Sequence, residues 1–227
     1  MSRPPWIENS DLLAVFPTYV WKMQVRREVH EPLAERLLAR LDTLRGDPAP
    51  LAAGESWQSP HALHRFEELA ELAVIIEEGA RAVLKFQRIG CEDLRITGCW
   101  ANINAPGAVH RMHSHPNNFL SGAFYVKVQA GANTINFHDP RPQTGVIRPP
   151  VTELTSGNTD QVVVQVADGT LLLFPAWLPH SVDANASAEA RVSVSFNVMF
   201  SDLPETLAQP LWGEPGPAAA DDTGPAA

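Results

Sequence analysis

Cysteine is scarce in this chain: of 227 residues only Cys91 and Cys99 carry thiols. Two cysteines cannot build the disulfide framework of a small secreted domain, and their spacing is not that of a zinc ribbon. Free thiols in a reducing compartment are the expectation. Long apolar runs are missing too. No stretch approaches the roughly 18–20 residues that cross a bilayer, and the most apolar one, TLLLFPAWLP, is short and broken by prolines. The first ten residues, MSRPPWIENS, lack the apolar core of a secretory signal. A cytoplasmic protein with no membrane partner is expected. Basic charge is also in deficit: 17 Lys and Arg stand against 26 Asp and Glu, a formal net charge of −9. Without a basic stripe, nucleic acid is excluded as the main partner. There is no internal repeat and no obvious peptide-docking module. A small-molecule substrate is therefore expected, with homodimerisation left open.

What is present divides in two. Residues 13–26 read as an early strand pair turning at Pro17. Apolar residues then recur at three and four over 31–45, with Pro32 near the start, which predicts an amphipathic helix. Residues 46–60 read as loop, and 62–88 as a second helix rich in good helix formers. From about residue 94 the character changes to short β-rich runs separated by Gly, Pro, Asn and Asp, the last being RVSVSFNVMF at 191–200. Seven or so strands at this spacing predict a sandwich or jelly roll. The expected organisation is one domain over 1–212, with helical support over about 29–90 and a β-core over about 94–200. A Pro, Gly and Ala-rich tail, 213–227, is expected to be disordered.

The chain has eight histidines, and His110, His113 and His115 fall together in VHRMHSHPNN. On a strand, residues i and i+2 share a face, so His113 and His115 can reach one ion. His180, in FPAWLPHSV, follows a strand and a proline-rich turn well downstream. A ligand pair on one strand and a distant third histidine is the spacing of a jelly-roll metal site. In RVSVSFNVMF, alternation puts Arg191, Ser193, Ser195 and Asn197 on one face and Val192, Val194, Phe196 and Val198 on the other. That pattern fits a half-exposed antiparallel strand. It fits equally a polar face looking into a wet barrel mouth, where Arg191 can grip a carboxylate with two hydrogen bonds. Trp100, Asn102 and Asn104 share a face of WANIN; Ser121, Ala123 and Tyr125 share one of SGAFYV. The Tyr125 hydroxyl can join Arg191 at a carboxylate.

Taken together, WANINAPGAVHRMHSHPNNFLSGAFYV, INFHDPRP, GTLLLFPAWLPHSV and RVSVSFN, within 98–197, resemble the iron(II)/2-oxoglutarate-dependent oxygenases, and more narrowly a group of small bacterial and phage members. The resemblance implies a double-stranded β-helix flanked by the two helices. It implies Fe(II), 2-oxoglutarate and O2 as cofactor and co-substrates, with no catalytic residue beyond the metal centre. By position it assigns the metal to His113, His115 and His180, and the far carboxylate of 2-oxoglutarate to Arg191 with Tyr125. Asn102, Asn104 and Ser193 are expected beside the co-substrate, and Trp100, His110 and Trp177 beside the primary substrate. The implied reaction is hydroxylation of an unactivated C–H bond with release of succinate and CO2. One position departs from the superfamily pattern: His115 stands where an Asp or Glu is the rule. Asp139 is an alternative third ligand. Three histidines also suit a cupin-like dioxygenase that uses no 2-oxoglutarate, and a non-catalytic jelly-roll binding module is the remaining reading. Residues 46–60 and 140–160 are candidate lids. His30, His61 and His64 are expected to be structural.

Overall fold

Strand alternation after residue 94 sorts side chains onto two faces, and the computed structural model shows both faces buried in different company. It describes residue 6 and residues 8–46, 49–90, 93–141 and 146–201. In chain order the elements are β1 (Trp21–Gln24), α1 (Arg27–Arg45), β2 (Ser56–Gln58), α2 (Ala70–Gln87), β3 (Leu94–Asn104), β4 (His110–His113), β5 (Leu120–Lys127), β6 (Thr134–His138), β7 (Gln161–Gln165), β8 (Thr170–Pro175), β9 (His180–Val182) and β10 (Arg191–Phe200). Two 3₁₀ turns, Leu63–Arg65 and Glu67–Leu69, precede α2.

The strands form two antiparallel sheets. A major sheet runs β1-β8-β5-β10-β3-β2 and a minor sheet runs β4-β9-β6-β7. This is the jelly roll expected for the β-part. Val192, Val194, Phe196 and Val198 of β10 face the helices, where they meet Leu33, Leu37 and Leu41 of α1 and Leu72, Ile76 and Val83 of α2. Each helix therefore presents its three-and-four stripe to the outer face of the major sheet. Burying one such Leu or Val is worth about 1.5–3 kcal/mol. The inner faces of the two sheets meet through Ala123, Tyr125, Leu172 and Phe174 from the major sheet and Ile135 and Phe137 from the minor one. Gly122 of β5 is where packing leaves no room. A Cβ there would collide with the Leu172 carbonyl oxygen and the Phe196 ring.

The sequence expectations differ from the structure in four places. Within 13–26 only Trp21–Gln24 is a strand, pairing β8 rather than a neighbour across Pro17. The first helix begins at Arg27, so Pro32 lies inside it and not at its start. Its missing N–H is tolerated because that face is solvent-exposed. Residues 62–69 form tight turns and the α-helix begins at Ala70. Residues 56–58, expected as loop, form an edge strand on β3. Cys99 is a buried thiol, raised to about 12 by desolvation; Cys91 and the tail 213–227 lie outside the described residues. Among the described residues no helix is long and apolar enough to cross a membrane.

Candidate metal centre

The three histidines converge, although not by the route strand alternation suggests. β4 ends at His113, and its antiparallel register sets His113 opposite His180 of β9. His115 lies beyond the strand, ahead of a turn in which Asn117 takes a left-handed φ of 62°. Its backbone N–H donates to the Ala176 carbonyl at 2.8 Å, which fixes it beside β8 and β9. Cross-strand pairing thus joins His113 to His180, and a turn delivers His115. One ligand nitrogen from each of the three lies within 4.8 Å of the other two.

Hydrogen bonding orients the rings. His113 Nδ1 stands 2.7 Å from the Arg111 carbonyl and His180 Nδ1 stands 3.0 Å from the Leu178 carbonyl. A carbonyl oxygen can only accept, so both Nδ1 atoms carry a proton, and it is Nε2 that offers a lone pair in the neutral form of either ring. His115 Nε2 faces His180 Nε2 across 3.3 Å. Nitrogens sharing a metal at about 2.1 Å stand roughly 3.0–3.4 Å apart, so this spacing fits one ion. Burial lowers both His115 and His180 to about 4, keeping them neutral and ligand-competent at ordinary pH. The donor set suits a borderline divalent metal. Among the described residues no carboxylate joins the cluster. Asp139 in particular does not: Arg141 pairs with both its oxygens, at 3.0 and 2.7 Å, and holds its carboxyl below the usual range.

Behind the histidines is a cavity of about 70 Å³. Its polar wall is the inner face of β3, β5 and β10. By the same measure one water takes about 10–15 Å³, so several water-sized groups fit. Arg191 lines it while only 4% exposed. Its Nη2 donates to Asn104 Oδ1 at 3.1 Å, and its Nε is buried with no partner among the described residues. A buried guanidinium donor left unpaired is costly unless something arrives to accept from it. Tyr125 faces the same cavity; desolvation raises its phenol to about 12, with Arg191 pulling the other way. It therefore stays an O–H donor. The polar-face reading of β10 is the one the structure selects.

The remaining expected residues divide. Ser193 and Asn102 line the cavity, but Asn102 is already engaged: Gln58 donates to it at 2.8 Å and it donates to Ser195 Oγ at 2.9 Å. Asn104 is engaged by Arg191, Ser56 and His110. Trp100 lines the cavity, its ring 6.1 Å from that of His115, and is backed by His61 stacked at 4.5 Å. His61 thus packs directly behind the site. Trp177 does not line this cavity. It is 56% exposed and lines a separate apolar cavity with Pro17, Tyr19 and Phe119, because the turn after β8 points it away from the histidines. His138 is bonded to Ser181 Oγ at 2.8 Å, and His30 to the Val126 carbonyl at 3.1 Å. Gln58 and Phe174 line the cavity without having been singled out. Alternation in a short edge strand gave no signal for Gln58, and Phe174 reads as ordinary core.

The profile of a family described as "Putative 2OG-Fe(II) oxygenase" matches residues 98–197. A comparison with curated protein sequences finds no match. Solved structures similar to this chain include a prolyl-4-hydroxylase from Pseudomonas putida, at 14% identity and TM-score 0.54, covering 81% of this chain and 93% of that one. HygX from Streptomyces hygroscopicus, with nickel and 2-oxoglutarate bound, is 14% identical at TM-score 0.54, over 81% of this chain and 84% of its own. The epimerase SnoN, in complex with Fe3+, alpha ketoglutarate and nogalamycin RO, is 18% identical at TM-score 0.57, over 90% and 92%. At these identities the structural likeness establishes the fold.

Proposed function

We propose, from the match of residues 98–197 to the 2OG-Fe(II) oxygenase family profile, that this protein is an Fe(II)/2-oxoglutarate-dependent oxygenase acting on a small molecule, most simply by hydroxylating an unactivated C–H bond. The observation that carries the reading is the pairing of three convergent imidazoles with a buried guanidinium nitrogen that has no partner among the described residues, across one cavity. In this reading the helices and the β-core act together as one domain.

Iron(II) with 2-oxoglutarate and O2 supplies the oxidising chemistry, releasing succinate and CO2 as the substrate is oxidised. The rest is done by the chain. His113, His115 and His180 hold the metal, and the carbonyls of Arg111 and Leu178 fix the rings of His113 and His180. Arg191 takes the far carboxylate of the co-substrate on its free Nε, and Tyr125 adds an O–H. Ser193 borders that carboxylate. Trp100 and Phe174 form apolar walls that limit water near the metal. The substrate approaches from the side of His113, the exposed member of the triad. Fold alone does not choose among outcomes: the similar structures include a hydroxylase, an epimerase and a carbocyclase.

The absence of a carboxylate among the described ligand candidates favours a second reading, a three-histidine dioxygenase that needs no 2-oxoglutarate. Calorimetry separates the two. Protein loaded anaerobically with Mn(II) is titrated with 2-oxoglutarate, for wild type and Arg191→Met. The oxygenase reading expects saturable binding that Arg191→Met weakens by roughly 30-fold or more. Metal binding without 2-oxoglutarate binding transfers the case to the three-histidine dioxygenase, and no metal binding leaves only a binding module.

A further inference from the structure

Asn104 ends β3 on the inner face of the major sheet, in register with Arg191 of β10. Its side chain is only 1% exposed with its residue and has three neighbours. Arg191 Nη2 lies 3.1 Å from Oδ1, Ser56 Oγ lies 2.8 Å from Nδ2, and His110 Nε2 lies 2.9 Å from Nδ2. The direction of each bond follows from chemistry. Guanidinium has no acceptor, so the amide atom facing Arg191 must be oxygen. The amide nitrogen therefore faces Ser56 and His110 and spends one hydrogen on each. His110 Nε2 receives a hydrogen bond, so it is unprotonated and the ring proton resides on Nδ1. That N–H has no partner among the described residues, and it belongs to a ring that lines the cavity. Burial, with the Arg191 cation nearby, lowers His110 to about 4 and so keeps the ring neutral.

A fully engaged Asn104 has no N–H left for the co-substrate. We infer that Asn104 is a positioning residue: it ties Arg191 to His110, leaves Arg191 Nε free for a carboxylate, and holds His110 as an Nδ1–H donor that recognises a carbonyl or carboxylate oxygen of the primary substrate. The substrate clause rests on the oxygenase reading; the tie itself does not. The cavity wall then offers two donors tied through one amide, Arg191 Nε and His110 Nδ1–H, and a substrate lacking an oxygen acceptor for His110 is rejected.

The test uses the full chain labelled with 15N-histidine, whose two-bond 1H–15N spectra report the tautomer of each ring; His110→Gln assigns the signal. At pH 7 His110 is expected as Nδ1–H. An Nε2–H ring overturns the tie without any variant of Asn104. In Asn104→Asp the carboxylate can only accept, so His110 is expected to switch to Nε2–H, and the new anion competes for Arg191, weakening 2-oxoglutarate binding to Zn(II)-loaded protein by about tenfold or more. A folded Asn104→Asp protein with an unchanged His110 tautomer overturns the proposal, because a purely structural asparagine predicts that result. Acetate, added to protein already saturated with Zn(II) and 2-oxoglutarate, probes the acceptor site: a shift of the His110 Nδ1–H signal is expected, and none at saturating acetate ends the substrate clause. The two readings fail separately. An Nδ1–H ring in a protein that never binds 2-oxoglutarate ends the oxygenase reading and leaves the tie standing. Tight 2-oxoglutarate binding with an Nε2–H ring does the reverse.

Discussion

The two sheets that enclose the site are built on different terms. β3, β5 and β10 of the major sheet run 8–11 residues, and each is largely buried, with helices behind it and the cavity in front. The minor sheet has strands of 3–5 residues, and β7 at its edge is mostly exposed. Arg191, the proposed co-substrate anchor, is set in the long, doubly covered sheet. His113 and His180 come from the short one, and His115 from a turn beside it. A rigid wall can hold an unpaired buried guanidinium at a fixed depth, because strands covered on both sides resist relaxation around it. The shallower side needs only short-range fixing, and the carbonyl contacts of His113 and His180 provide it.

This contrast can be broken at each side separately. The largest effect is expected on the minor sheet: His113→Ala or His180→Ala should weaken Mn(II) binding by about 100-fold or more, since even changing a ligand's supporting partner costs 10–100-fold. Calorimetry checks it, and a near-normal affinity would remove the triad from consideration. On the major sheet, Arg191→Met should leave Mn(II) binding intact and raise the 2-oxoglutarate Kd by roughly 30-fold or more, from the ~2–5 kcal/mol typical of a buried charge pair. If both ligands weaken together, the division of labour between the sheets is wrong. Gly122→Ala should lower stability by about 3 kcal/mol in urea unfolding, because the new methyl meets backbone and a ring in a sheet that cannot move aside.

Acid should act next, and in one direction. His110, His115 and His180 each sit near 4 in the folded metal-free chain against about 6.5 when unfolded. The unfolded chain binds more protons between those values, so stability is full above about 6.5 and falls as pH drops towards 4. Urea midpoints across that window check the sign, and His110→Gln should flatten the slope. The smallest effect is expected at Trp177→Ala. Lining a different cavity, it should change Mn(II) and 2-oxoglutarate affinity less than about twofold, within the range of surface substitutions.

How much of this was legible beforehand depends on whether the signal was local. The strand over 191–200 and its two-faced pattern could be read residue by residue, because a period of two survives any tertiary context that buries one face. The amphipathic stripes of α1 and α2 were legible for the same reason. The edge strand at 56–58 was not: three residues carry no period, and pairing with β3 alone makes them a strand. Trp177 was misplaced because an exposed aromatic after a strand says nothing about which way the following turn faces. Asn104 could be placed on the right face, but its saturation by three partners depends on Ser56 and His110, which arrive from separate segments.

By itself, then, the sequence determined the division into helices and a β-rich part, the faces of the long strands, and the residue types able to bind a metal and a carboxylate, since all of these follow from spacing and side-chain chemistry. Only the tertiary structure decided that His115 reaches the cluster from a turn, that Asp139 is diverted to Arg141, and that Arg191 Nε is left without a partner among the described residues. Those outcomes depend on which distant segments are brought into register, and long-range register is a property of the packed chain, not of any window within it.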